Sequence, residues 1–153
     1  MSSHEEISPN EKAFILLSRA ASLGEKVVLD AVAPIGITVA EFNFLRIVES
    51  NPKVTARDIQ AFLGLAAPSI AQMVAKLEKK GFIKRDRSSD DGRVLHLRST
   101  FWGRRALNKA SVAVDENFHR LKLNQKLMAS LVPLLSSFAD SVTDRLSKEK
   151  AEK

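Results

Sequence analysis

The hydrophobic spacing of this chain changes once, at Gly81, and that change limits what it can fold into. Up to Gly81 the apolar residues recur at three- and four-residue intervals, as on the buried face of a helix. Between Gly81 and Thr100 they do not. Phe82-Ile83-Lys84-Arg85 and Val94-Leu95-His96-Leu97-Arg98 read as two short strands. The second alternates, with Leu95 and Leu97 on one face and Val94, His96 and Arg98 on the other. The polar run from Asp86 to Arg93 between them contains Asp91-Gly92, a hairpin tip. After Thr100 the helical spacing returns. The expected class is therefore mainly α with one small antiparallel β-hairpin.

The helix boundaries are written in local chemistry. Ser8-Pro9-Asn10-Glu11 combines a capping hydroxyl, a proline suited to the first turn and an acid that closes a capping box. A helix from about Pro9 to about Val32 follows, ended by Pro34 and Gly36. Thr38 to Glu41 is a second box, opening a helix through about Glu49 with Phe42, Leu45 and Val48 on one face. Asn51-Pro52 makes a turn, and Thr55 to Asp58 starts a short third helix ending near Leu63 at Gly64. Pro68 suits position N1 of a fourth helix, which puts Ala67 at the cap. Ile70, Met73, Val74 and Leu77 form its apolar stripe; Ser69, Gln72, Ala75, Lys76 and Lys79 fall on other faces. Thr100 caps a fifth helix from Phe101 to about Leu121. Asn124 caps a sixth, with an apolar seam from Leu127 to Leu146 and a kink expected at Pro133. Core packing is the expected role of Phe14, Phe42, Phe44, Trp102 and Phe118, with the lining of a small-molecule pocket as the alternative. Two short helices joined by a tight Gly-containing turn and followed by a basic hairpin make a winged helix-turn-helix.

Charge adds a partner. The formal net charge is +6, but the stretch from Lys53 to Arg105 alone holds twelve Lys and Arg against five Asp and Glu. The middle third is thus strongly positive and the remainder near neutral, which favours an anionic partner for the middle. Cysteine is absent, which removes disulfides, thiolate catalysis and cysteine-based metal or redox sites. His4, His96 and His119 are scattered, and no Gly-rich phosphate loop or nucleophile elbow is present, so neither an enzyme nor a cofactor is expected. The first residues lack a basic n-region, and the most apolar stretch, Val27 to Ile37, is broken by Asp30 and Pro34. No membrane association and a cytoplasmic location are the expectations.

Over about Ile35 to Gly103 the sequence resembles the MarR (multiple antibiotic resistance regulator) family. The resemblance rests on Thr55-Ala56-Arg57-Asp58-Ile59-Gln60-Ala61-Phe62-Leu63-Gly64-Leu65, on Val74-Ala75-Lys76-Leu77-Glu78-Lys79-Lys80-Gly81-Phe82-Ile83, and on Asp91-Gly92-Arg93 through Leu97 with Gly103 beyond. It departs from the family pattern at Gly92, where an arginine is usual, at Ala66-Ala67-Pro68-Ser69, usually richer in Ser and Thr, and at Ser99-Thr100, where a Leu-Thr pair is usual. The resemblance implies a single-domain chain, 1–153, with the winged helix-turn-helix in 35–103. It also implies flanking dimerisation helices in 8–33 and 104–148, a homodimer on palindromic double-stranded DNA, and a small-molecule effector.

Ser69 and Gln72 lie early on the fourth helix, where recognition helices meet bases; Gln72 can pair twice with adenine, and Lys76 can reach a guanine or a phosphate. Arg93 at the hairpin tip suits a narrow minor groove, with Asp91 placed to orient its guanidinium by a forked hydrogen bond. Arg87 stands on the other side of the tip, and Arg57 suits a phosphate. The expected function is a sequence-specific transcriptional regulator, repressor or activator. The alternative is a winged-helix module that binds another protein, kept open by the weakly polar Ala66-Ala67-Pro68 start of the recognition helix.

Overall fold

A computed structural model describes residues 7–88 and 92–151. All three capping boxes form. Ser8 starts α1 (Pro9–Val32), which passes through a 3-10 turn (Ala33–Ile35) to Gly36; Thr38 starts α2 (Val39–Ser50); Thr55 starts α3 (Ala56–Leu63). In each, the hydroxyl accepts from the backbone N–H three residues on, and the acid accepts from the backbone N–H of the capping residue. Gly64 closes α3 at φ 64°, its N–H donating to the Gln60 carbonyl at 3.0 Å.

The recognition helix α4 (Ala67–Lys79) begins one residue earlier than its sequence indicates. Ala66, not Ala67, is the extended N-cap residue, and Pro68 sits in the second helical position. Proline lacks an N–H and needs none within the first turn, so it tolerates either place. At the other end Gly81, at φ 69°, donates to the Glu78 carbonyl at 2.8 Å, and Phe82 donates to the Leu77 carbonyl at 2.9 Å. These paired 5→2 and 6→1 bonds are a Schellman motif. Because the Phe82 N–H is spent on the helix end, the first strand starts later than expected. β1 (Ile83–Arg87) pairs antiparallel with β2 (Leu95–Ser99), Ile83 opposite Ser99 and Arg87 opposite Leu95. The Leu97 N–H also donates to the Val54 carbonyl at 2.8 Å, tying the hairpin to the segment before α3.

Thr100 starts α5 (Phe101–Arg120); its hydroxyl accepts from the Gly103 N–H at 3.0 Å and donates to the Gly81 carbonyl at 2.6 Å. Asn124 starts α6 (Gln125–Ala151), its side-chain oxygen accepting from the Lys126 N–H at 2.9 Å. Helix α6 carries Pro133 within it. Among the described residues, no single helix is long and apolar enough to cross a bilayer.

The chain forms two compact units, one through Asn117 and one from Phe118 onward. The core of the first draws Phe44, Leu45 and Val48 from α2, Ile59 from α3, Ile70, Val74 and Leu77 from α4, Ile83 and Leu97 from the hairpin, and Leu107 from α5. The apolar stripe expected on α4 is thus buried, with Met73 packed against it. The aromatic residues only partly follow expectation. Phe44 is buried and Phe42 and Phe118 are half-buried, but Phe14 is 70% and Trp102 60% exposed. Phe14 lies on an outward α1 seam, and Trp102 lies on the first turn of α5 against Phe101, ring centroids 5.3 Å apart. In the second unit every described α6 side chain is exposed, including Leu127, Leu131, Leu134, Leu135, Phe138, Val142 and Leu146.

Candidate nucleic-acid interface

With Ile70, Val74 and Leu77 pinned in the core, the opposite side of α4 faces outward. Ser69, Gln72 and Lys76 are all exposed on it, spaced three and four residues apart, so they share one stripe. The helix has 13 residues and is therefore about 20 Å long at about 1.5 Å per residue. A helix of that size fits a major groove about 12 Å wide. No capping side chain occupies its N-terminus.

The other candidates fall in two places. Arg57, on the first turn of α3, joins Gln60 and Arg85 at the rim of a cleft of about 470 Å³ floored by Ile70, Val74 and Leu97, between α3, α4 and the hairpin. Arg87, at the end of β1, and Arg93 are exposed beside the hairpin tip. Asp91, expected to orient Arg93, lies outside the described residues. Several wing cations are engaged within the protein. Asp86 pairs with Lys84 at 3.1 Å and with Arg98 at 3.3 Å, and Glu78 pairs with Arg85 at 3.1 Å. Such exposed pairs contribute little to stability and yield readily to a phosphate. Among the described residues, no cluster of three or more His, Asp or Glu is placed to hold a metal ion.

One partner of a candidate residue was invisible in the sequence. Glu41 is completely buried, and Lys76 of α4 and Lys80, the residue that caps the end of α4, converge on it. Lys80 Nζ lies 2.9 Å from both carboxylate oxygens and 3.0 Å from the Gly36 carbonyl; Lys76 Nζ lies 3.2 Å from Oε1. Glu41 is also the acid of the second capping box, accepting from the Thr38 N–H at 2.8 Å, and that local role accounts for it fully when only the sequence is read. The one available signal was the positive excess at Lys76, Lys79 and Lys80, which names no partner.

Burial pushes the Glu41 carboxyl pKa up. Hydrogen bonds from Lys80, the Thr38 N–H and Lys76 together outweigh burial and hold it below its ordinary value of 4.5. A carboxyl whose pKa is lowered by folding binds protons better when unfolded. Its stabilisation is therefore full above pH 4.5 and is lost as pH falls through the lower folded value. Asp58, held down by the Thr55 N–H and hydroxyl, carries the same sign. Glu41→Gln should accordingly flatten the acid limb of stability measured by urea unfolding against pH. An acid limb of unchanged slope would mean that Glu41 is not a source of it.

A short helix pair, an outward polar stripe on its second helix and an adjoining basic hairpin define a winged helix-turn-helix DNA-binding protein. The sequence matches the MarR family over residues 37–95. The transcriptional repressor CouR, solved bound to a 23-mer DNA duplex, is 31% identical, covers 81% of this chain and 89% of its own, and superimposes with a TM-score of 0.72. CouR from Rhodococcus jostii bound to p-coumaroyl-CoA is 25% identical, with coverage of 86% and 94% and a TM-score of 0.75. An HTH-type transcriptional repressor of Mycobacterium tuberculosis is 27% identical over 99 residues, 65% of this chain and 71% of the repressor. The protein belongs to the MarR family of transcriptional regulators.

Proposed function

We propose that this protein regulates transcription as a homodimer that reads a palindromic operator. In this reading Ser69 and Gln72 face base edges, Lys76 reaches a guanine or a phosphate, Arg57 holds phosphate, Arg93 enters the minor groove with Asp91 orienting it, and Arg87 contacts DNA from the other side of the wing tip. The observation that carries it is the exposed Ser69-Gln72-Lys76 stripe, held outward by a buried apolar face and flanked by a basic hairpin. Residues 35–103 act as the DNA-binding part, and 8–33 and 104–148 supply the dimer. The exposed apolar seams of α1 and α6 support that assignment, since each needs a partner to leave water. The DNA complex of CouR supports the target.

A small-molecule effector completes the proposal, and the acyl-CoA complex of CouR supports it. The dimer helices set the spacing of the two recognition helices. A ligand that prefers the wrong spacing lowers DNA affinity by its differential affinity for the two states.

Two substitutions separate helix from wing. Gln72→Ala should lose about 1–3 kcal/mol at the preferred site and relax base choice at one position per half-site, with little change on unrelated DNA. Arg93→Ala should weaken specific and unrelated DNA alike, lowering the slope of log affinity against log salt by about 0.9 per wing. Gel shifts at three salt concentrations, on a site selected from random duplexes and on a scrambled one, read both. An Arg93→Ala variant with unchanged slope and affinity would show that the wing does not touch DNA. Salt-independent binding by the wild type would favour a protein-binding role for the scaffold instead.

A further inference from the structure

The lysines that meet Glu41 are held unequally. Lys80 lies within 3.0 Å of three oxygens, donating to Glu41 Oε2 and to the Gly36 carbonyl, and its side chain is 29% exposed. Lys76 has one carboxylate contact, at 3.2 Å, and is 53% exposed. It also stands on the same stripe as Ser69 and Gln72, the face offered to DNA. Its ammonium, however, leans back from that face to an acid on α2. If Lys76 leaves, Glu41 keeps Lys80 and is not stranded as an unpaired buried charge. The acid and the two lysines therefore form a set in which one cation is structural and one is exchangeable.

Resting on the DNA-binding reading above, we propose that Glu41 is a positioning residue for DNA discrimination: its buried carboxylate competes with phosphate for Lys76, withholding recognition-helix charge from non-specific DNA. Non-specific binding is almost wholly phosphate neutralisation, so a cation tied up internally weakens it directly. Binding at the preferred site draws as well on the geometry of Ser69 and Gln72, which this competition leaves in place. The acid thus lowers the background more than the signal. Its contribution is to the ratio of the two affinities, which decides occupancy when unrelated sites are in vast excess.

The test is a cycle of full-length wild type, Glu41→Gln, Lys76→Gln and the double variant, titrated by gel shift on a selected and a scrambled duplex at three salt concentrations. Glutamine keeps an oxygen for the Thr38 N–H but no charge for the lysines. Glu41→Gln should steepen the salt slope on scrambled DNA by about 0.9 per protomer, equivalent to about eightfold tighter binding per protomer at 0.1 M salt. Affinity at the selected site should rise less. Lys76→Gln alone should lower the slope on scrambled DNA by well under about 0.9 per protomer, and in the double variant the gain should vanish. A purely structural role for Glu41 predicts the reverse, a lower affinity for both duplexes with no steeper slope, and that result would overturn the proposal. Should Glu41→Gln fail to fold by circular dichroism, the Lys76→Gln slope still decides: a drop of about 0.9 per protomer shows that Lys76 already serves phosphate and overturns it. A wild type that binds neither duplex removes the DNA-binding reading itself. Wild-type binding with no change of slope in Glu41→Gln removes this proposal alone.

Discussion

Gly103→Ala should lower the unfolding free energy by about 2 kcal/mol, although helix propensity alone points the other way. Within a helix, alanine is favoured over glycine by about 1 kcal/mol. At this position a Cβ would lie 1.9 Å from the Phe82 carbonyl oxygen and 2.8 Å from its carbon. Both atoms are backbone, so no side chain can swing aside. The same carbonyl accepts from the Thr100 N–H at 2.9 Å, and the preceding Gly81 carbonyl accepts from the Thr100 hydroxyl at 2.6 Å. Relieving the overlap means prising the start of α5 from the base of the hairpin and breaking the joint that closes α4. Overpacking of a rigid site costs about 1–3 kcal/mol and sometimes more, which outweighs the propensity gain. For a chain of this size the loss corresponds to about 4–8 °C in Tm. Thermal unfolding followed by circular dichroism reads it directly. DNA affinity should fall as well, because the hairpin and α4 are both set by this joint. A Tm equal to or above that of the wild type would show that α5 shifts freely against Phe82.

The second large effect is expected on assembly. Leu131, Phe138 and Val142 lie near the middle of the α6 apolar seam, and all are exposed in the single chain. A symmetric dimer covers such a seam with an apolar face of its partner and meets each substitution twice. Phe138→Lys removes a large aromatic contact and places an ammonium where an apolar surface is expected. Truncating a well-packed interface aromatic costs about 2 kcal/mol or more. Two copies therefore cost about 4 kcal/mol, or about a thousandfold in the dimer constant. Sedimentation velocity at micromolar concentration should find the wild type dimeric and the variant monomeric. Operator affinity should collapse with it, since two half-sites are then no longer bound together. The helix-turn-helix core, built from α2, α3, α4, the hairpin and α5, should keep its secondary structure. A wild type that sediments as a folded monomer at that concentration would refute the dimer.

The sequence alone determined what depends on neighbours within about four residues. The three capping boxes, the ends of α3 and α4 at Gly64 and Gly81, and the order of helices and hairpin all follow from contacts of that range. So does the outward stripe of Ser69, Gln72 and Lys76, because the period of a helix dictates which side chains oppose a buried face. The tertiary structure decided whatever depends on what lies across the chain. It placed the start of β1 at Ile83, because the Phe82 N–H is taken by Leu77 and its carbonyl by Thr100. It left Phe14 and Trp102 outside the core, since hydrophobicity says that a side chain seeks cover but not whether its own unit supplies any. It brought Arg57 and Arg85 to one cleft. It also gave Glu41 a second task, through Lys80, 39 positions away in the chain. A buried charge must be matched by opposite charge in space, and nothing in local spacing records where that match is found.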